Sequence, residues 1–408
     1  MSQSTLHQPS ARRAGWPRAL VSALTVLALV AAGWALARAI AGSGGARLAA
    51  APPSGQYIYA AQDDGTVHVY DIAHGHRLTQ VIRAFACCAD VRGAAAAAPT
   101  RRFYIMYNAA GKGHLVALDL LSGRVLWDIV EHAPGVDRGA VTPDGKTLFL
   151  PTWESDAGSP YELVIDARTG AITGRIALPP RSHDTLVSLD GTRVFMETKS
   201  PVGALYIAST ATYAITGSVT GYCCGGVLQP YAVNGAATLV VNDVRGYAGF
   251  QIGDIRTGRV IASVPFPDAG AGYGHGIAWS PDEREVWVND GRKPEVHVFD
   301  MTVSPPVQTS LISLSGVPHW VTFSIDGRFA YVSGPKGGRI ETAVIDAVTH
   351  QQVGVLTGSN SEDLLEVDFA AGAVARVGDQ FGIGRVTTPA TTAPLAYPLA
   401  PAAMRLGR

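Results

Sequence analysis

Through most of the chain, apolar and polar residues alternate with a period of two, in short runs that close on an acidic residue and a turn. VHVYD ends at Asp71, LVALD at Asp119, ELVID at Asp166, FQIGD at Asp254, VHVFD at Asp300 and TAVID at Asp346, with LYIAS ending at Ser209 in the corresponding place. Successive spacings are 48, 47, 43, 45, 46 and 46 residues. Period-two alternation predicts strands with one face buried; a helix would return its apolar residues every three or four positions. After the acidic residue, Asp-x-x-Ser/Thr-Gly stands in clear form at Asp119–Gly123, Asp166–Gly170 and Asp254–Gly258. An Asp carboxylate accepts backbone N–H bonds two or three residues on, and Gly takes the left-handed position that closes a tight hairpin. These carboxylates therefore read as structural punctuation.

Each repeat carries further strands. RFYIMYN, TLFLPTW, RVFMET, ATLVVND, EVWVND and RFAYVSG lie upstream of the acidic run, and RGAVTPDG, HGIAWSPDE and HWVTFSIDG lie upstream of those. RVLWDIV, AITGRIAL, RVIASVPF and QQVGVLTG follow the turn. Four short strands in each unit, repeated seven times, predict an all-β, seven-bladed β-propeller, which hides its sheet edges by radial repetition. The first unit lacks its own first strand, and LLEVDFAAG at Leu364–Gly372 is left over at the far end. That strand is expected to complete the first blade and close the ring. The propeller is expected over 55–386, with 387–408 a Pro/Ala/Thr-rich disordered tail.

The N-terminus departs from this pattern. Arg12, Arg13 and Arg18 precede an uncharged run from Ala19 to Ala37, which is about long enough to span a bilayer core as a helix. Residues 1–41 read as a cytoplasmic tail with one transmembrane or signal helix, and 42–54 as a linker. Ala39-Ile40-Ala41 supplies small residues at a cleavage spacing, so the alternative is a signal removed on secretion. Both readings place the propeller outside the cytoplasm.

Charge excludes one class of partner. With 32 Lys+Arg against 33 Asp+Glu, the net charge is −1, too balanced for nucleic-acid binding. No Cys-x-x-Cys-His, Gly-rich phosphate loop or His-Glu-x-x-His occurs, which disfavours c-type haem, nucleotide and zincin chemistry. The chain is expected to act as a monomer.

The repeat resembles the YVTN-type seven-bladed propellers, whose units read as an apolar "SPDG" strand, a "VYV.N" strand and a "V.VID..T" strand. WSPDE, REVWVND and VHVFD carry the likeness best, with TPDGKTLFLPT and ELVIDARTG close behind. The resemblance covers the repeat region and implies fold more than function, because such propellers include binding proteins, lactonases and quinoprotein dehydrogenase subunits. LDLLSGRVLW at Leu118–Trp127 is the single segment similar to the Trp-docking repeat of quinoprotein alcohol dehydrogenases.

Candidate chemistry follows from register. The first strand of each blade runs beside the axis, so residues at its start converge. Counting seven residues back from the turn Asp gives Asp137, His183, His275 and His319. Asp363 falls 44 residues beyond His319, and Asp90 sits approximately there in the second unit. Arg138, beside Asp137, is a candidate clamp for an anion or a partner of its neighbour. Three imidazoles with carboxylates suit a divalent or copper ion at the channel mouth, a small polar molecule, a partner protein, or hydrolysis with an axial His as base. A polar, water-filled channel would carry the same residues.

The cysteines form two adjacent pairs, Cys87-Cys88 and Cys223-Cys224, each just before an inner strand. Export to an oxidising compartment leaves three arrangements open: two vicinal disulfides, a bridge between the pairs, or a thiolate site for a soft metal. Trp279, Trp287 and Trp320 are expected to pack between blades, and His68 and His297 to be ordinary sheet residues.

Overall fold

The computed structural model describes residues 54–381 apart from 133, 202, 269, 271 and 336–339. Apart from a short 3-10 turn at Ile72–His74, the regular elements of the described residues are all β-strands. No helix among the described residues is long and apolar enough to cross a membrane. The candidate anchor or signal at 1–41 and the tail at 387–408 lie outside the described residues.

The acidic runs end where their alternation predicts. The corresponding strands are Thr66–Asp71, Lys112–Asp119, Tyr161–Asp166, Ala204–Ser209, Gly249–Asp254, Glu295–Asp300 and Thr342–Asp346. The turn chemistry is also as expected: Asp166 Oδ1 accepts from the Arg168 and Thr169 amides and the Thr169 hydroxyl, and Gly170 has φ +77°. Asp119 does the same for Leu121 and Ser122.

Strands adjacent in sequence pair antiparallel. Four-stranded sheets occupy Asp90–His132, Ala140–Ala177, Gly274–Ser313 and Trp320–Leu356. Ser182–Thr220 and Leu228–Pro265 each contribute four strands to an eight-stranded sheet, joined only by the parallel pair Thr220↔Arg259 at their outer edges. The remaining sheet unites both ends of the repeat region, with Tyr59 opposite Leu365, so the leftover C-terminal strand does complete the first unit.

Apolar side chains fill the spaces between consecutive sheets. Tyr59 and Val67 pack with Phe103 and Val116, and Trp287 packs with Val321 and Ala343. Ile58 and Tyr70 pack with Tyr331 and Val344, so the last sheet rests on the first. Each sheet thus buries both faces and the series closes on itself, the arrangement of a β-propeller. Trp279 and Trp287 lie in these inter-sheet cores, as expected.

One segment does more than its sequence pattern indicates. Ala373–Val377 pairs with the inner strand Leu364–Ala370, and the chain then continues across the centre. The Ala94 amide donates to Gln380 Oε1 at 2.6 Å, the Trp320 indole N–H to the Gln380 carbonyl at 2.7 Å, and the Thr322 hydroxyl to the Asp379 carbonyl at 2.6 Å. Phe381 lies against Trp320 in a core that includes Leu186 and Tyr231. Residues 378–381 thereby touch the inner strands of several sheets and obstruct the axis. Residues 378–381, which form no strand, are thus a plug within the expected 55–386 propeller, whose residues 382–386 lie outside the described residues.

Candidate functional site

A cavity of about 560 Å³ opens on the axis, lined in part by Arg92, Arg138, His183, His275, His319 and Glu362. Short first strands bring these groups together: Ser182–Val187 carries His183, Gly274–Trp279 carries His275, and His319 directly precedes Trp320–Phe323. The three histidines reached by counting from the turn Asp therefore share one cavity wall system.

Their environments differ. The His275 and His319 rings lie with centroids 4.0 Å apart and planes tilted by 30°, and His275 Nδ1 lies 3.4 Å from the His319 carbonyl, to which it can donate. This approach requires Gly276, whose φ is +99° and where a Cβ would collide with that carbonyl. Burial, followed by the neighbouring His319, holds the His275 pKa well below the usual imidazole range, so its ring is neutral at pH 7. His319 Nδ1 lies 2.5 Å from Glu362 Oε2, which leaves its other nitrogen to serve the cavity.

His183 is embedded in carboxylates instead. Its Nδ1 stands 2.8 Å from Asp184 and 3.3 Å from Glu197, and its Nε2 stands 3.4 Å from Glu154. Burial opposes its charge, but Asp184 and then Asp137 outweigh that effect and push its pKa up to about 9. Asp184 is driven low, chiefly by His183 against burial, and Glu154 is drawn down to about 2 by His183 and Arg92 against the same opposition. Donor atoms of Asp137, His183 and Asp184 all lie within 4.8 Å of one another, a possible metal-binding grouping that includes neither His275 nor His319.

Asp137 and Arg138 serve the inner wall. Asp137 is fully buried and receives Arg92 in a bidentate pair at 3.0 Å through Nε and Nη2. Arg138 reaches Glu362 at 2.8 Å, Asp184 at 3.6 Å and Asp363 at 3.7 Å, while its guanidinium lies 4.2 Å from the Trp320 ring centroid. Trp320 thus meets both an inter-sheet core and the site. Asp363 accepts from Gln380 Nε2 at 2.7 Å, which ties the axial plug to this network.

The sequence count missed several lining residues. Gln229 holds the equivalent inner position, but its turn reads Asn234-Gly235-Ala236 and offers no Asp to count from. In the second unit Arg92 lines the cavity, whereas Asp90 stands 3.9 Å from Arg92 and outside the lining. The Ala94–Ala98 run supplies no register mark there. Lys199, Arg245 and Arg292 come from loops just after the second strands. Their signal is an acid, one residue, then a base, as Glu197-x-Lys199, Asp243-x-Arg245 and Asp290-x-Arg292.

Cys87 and Cys88 are joined as a vicinal disulfide, whereas Cys223 and Cys224 are both thiols. The Cys224 Cβ lies near Gly246, a residue of the cavity rim. Burial and then Cys224 push the Cys223 thiol up to about 12, so it is protonated at neutral pH.

The closed set of sheets and its axial cavity define a β-propeller. No protein-family model matches the chain, and no curated protein matches it. Solved structures do share the fold. Hydrazine synthase of Kuenenia stuttgartiensis is similar at a TM-score of 0.55 and 14% identity, over 70% of this chain and 94% of that one. Dihydro-heme d1 dehydrogenase NirN, solved in complex with DHE, aligns at 0.57 and 16%, over 80% and 74%. The β-propeller domain of Cps50 (Swd1) from Myceliophteria thermophila aligns at 0.55 and 11%, over 69% and 90%. At these identities the likeness concerns fold alone.

Proposed function

We propose that this chain is a seven-bladed β-propeller that binds a small carboxylate or phosphate anion in its axial cavity. In this reading Arg245 and Arg292 attract the anion at the rim, and His275 and His319 contact it inside. The seven buried cores between sheets, with the last sheet packed on the first, support the blade count. The observation that carries the ligand class is an asymmetry of charge. Arg92, Arg138 and Lys199 have carboxylate partners at 2.9, 2.8 and 3.2 Å. Arg245 and Arg292 line the same cavity, are exposed, and make no ion pair among the described residues. A guanidinium left unpaired at the mouth of a low-dielectric cleft favours a carboxylate or phosphate there.

The Arg-flanked apolar run at 19–37 supports display of the propeller outside the cytoplasm, on a membrane tether or after signal cleavage. A second reading rests on the His319–Glu362 pair. A carboxylate orienting an imidazole is the arrangement of a general base, which would make the site a hydrolase for an anionic ester or lactone.

Thermal-shift titration with citrate, succinate and inorganic phosphate tests the binding reading. At least one should stabilise the protein saturably, and the Arg245→Gln/Arg292→Gln double variant should need about tenfold or more anion for the same stabilisation. Stabilisation by none of the three, or an equal effect in the variant, would reject it. Ester or lactone turnover that falls on both His319→Ala and Glu362→Gln would favour the hydrolase.

A further inference from the structure

A second cluster lies away from the cavity wall formed by the axial histidines, in the sheet Gly274–Ser313. Asp290 ends one strand, and Glu295 and His297 stand two residues apart on the next, so they share a face. Potential ligand atoms of the three all lie within 4.8 Å of one another. Two donors bound at about 2.0–2.2 Å to a common divalent ion lie at most about 4.4 Å apart, and His297 Nε2 and Asp290 Oδ2 stand 3.8 Å apart.

The independent observation concerns His297. Its side chain is fully buried, and its Nδ1 is 2.8 Å from Gln308 Oε1. A carbonyl oxygen only accepts, so Nδ1 carries the proton, and in the neutral ring Nε2 presents a lone pair. That Nε2 has no hydrogen-bond partner, and it lies 3.8 Å from Asp290 Oδ2. Glu295 Oε2 is also buried without a hydrogen-bond partner. Buried lone pairs facing one another without a donor are costly, and a cation between them removes the cost. A second ring nitrogen fixed by an amide oxygen is the usual support for a metal-ligating imidazole. His297, expected from its sequence to be an ordinary sheet residue, thus has the chemistry of a ligand.

We propose that His297 Nε2, Asp290 Oδ2 and Glu295 Oε2 bind one divalent first-row cation, with zinc the best match to a mixed nitrogen and oxygen donor set. The site fastens the link between two sheets. Asp290 accepts from the Gly272, Arg292 and Lys293 amides, and Phe266 stacks on His297 with centroids 3.9 Å apart. The cation would therefore brace the backbone that carries Tyr273 and Arg292 to the axial cavity. It stands independently of what that cavity binds.

The test uses full-length protein stripped with EDTA and reloaded with Zn²⁺ alone, with bound metal read by elemental analysis and affinity by competition with a chromophoric chelator. The wild type should retain one equivalent that survives in His183→Asn but weakens at least tenfold in Glu295→Gln and His297→Gln. Since His297→Gln disturbs a buried residue, the half-buried Glu295→Gln is the deciding variant, with its fold checked by circular dichroism. No retained zinc in the wild type, unchanged affinity in Glu295→Gln, or loss in His183→Asn in place of Glu295→Gln would overturn the assignment.

Discussion

The two sides of the axial cavity are built to opposite electrostatic rules. On one side, Arg92, Arg138 and His183 are locked to Asp137, Glu362, Asp184 and Glu154 by short ion pairs. On the other, Arg245 and Arg292 have no such partners among the described residues, and the neutral His275 lies against His319. A paired buried network holds shape and contributes little spare charge, whereas unpaired groups at an opening remain available to a ligand. Abundant charge in a propeller channel is therefore a poor guide to its ligand contacts; the informative groups are those whose charge remains unmatched.

This contrast can be broken at several points. The largest effect is expected from Arg138→Met, which removes the buried guanidinium shared by Glu362, Asp184 and Asp363 and leaves these carboxylates to His319, His183 and Gln380. It should destabilise the fold by about 3–5 kcal/mol in urea unfolding, as loss of one partner from a buried pair does. A loss under about 1 kcal/mol would show that the network is far less important than its burial suggests.

The next effect concerns pH. His183 has its folded pKa raised above its unfolded value, so its contribution is complete below about pH 6.5 and declines as pH rises through about 9. The decline should be on the order of 3 kcal/mol, read as an alkaline fall in urea midpoint that His183→Asn removes. His275 has the opposite sign. Its folded pKa is depressed, so the stability associated with its neutral ring is present above about pH 6.5 and declines as pH falls below it. A stability profile without an alkaline limb would contradict the compensated wall.

A smaller effect on stability sharpens the other side. Arg245→Gln/Arg292→Gln should leave the urea midpoint nearly unchanged and weaken anion binding about tenfold or more, in line with loss of charged hydrogen bonds. The smallest change belongs at the outer hairpins. Asp254→Ala removes the acceptor for the Thr257 amide and should cost about 1 kcal/mol, without altering ligand affinity.

Much of the scaffold was legible because its signals are local. Alternation located the strands ending at Asp71, Asp119, Asp166 and Asp300, and Asp and Gly marked the turns that follow Asp119, Asp166 and Asp254. The leftover Leu364–Ala370 strand was legible because one unit lacked a partner. Parts of the site were not. Gln229 and Arg92 escaped because their turns lack the Asp that sets the count, and Lys199, Arg245 and Arg292 because loop positions carry no period. The plug at 378–381 had no local mark, since its structure depends on contacts with Ala94, Trp320 and Thr322, far away in the chain. Nor does an alternating His in VHVFD reveal that Gln308 fixes its tautomer from the neighbouring strand.

The most direct measurement is calorimetric titration of the full-length protein and its His275→Ala/His319→Ala variant with whichever of citrate, succinate or phosphate stabilises it. One saturable site is expected in the parent and none in the variant, with both showing the same far-ultraviolet spectrum. Equal affinities in the two proteins would place the bound anion elsewhere and contradict the axial assignment.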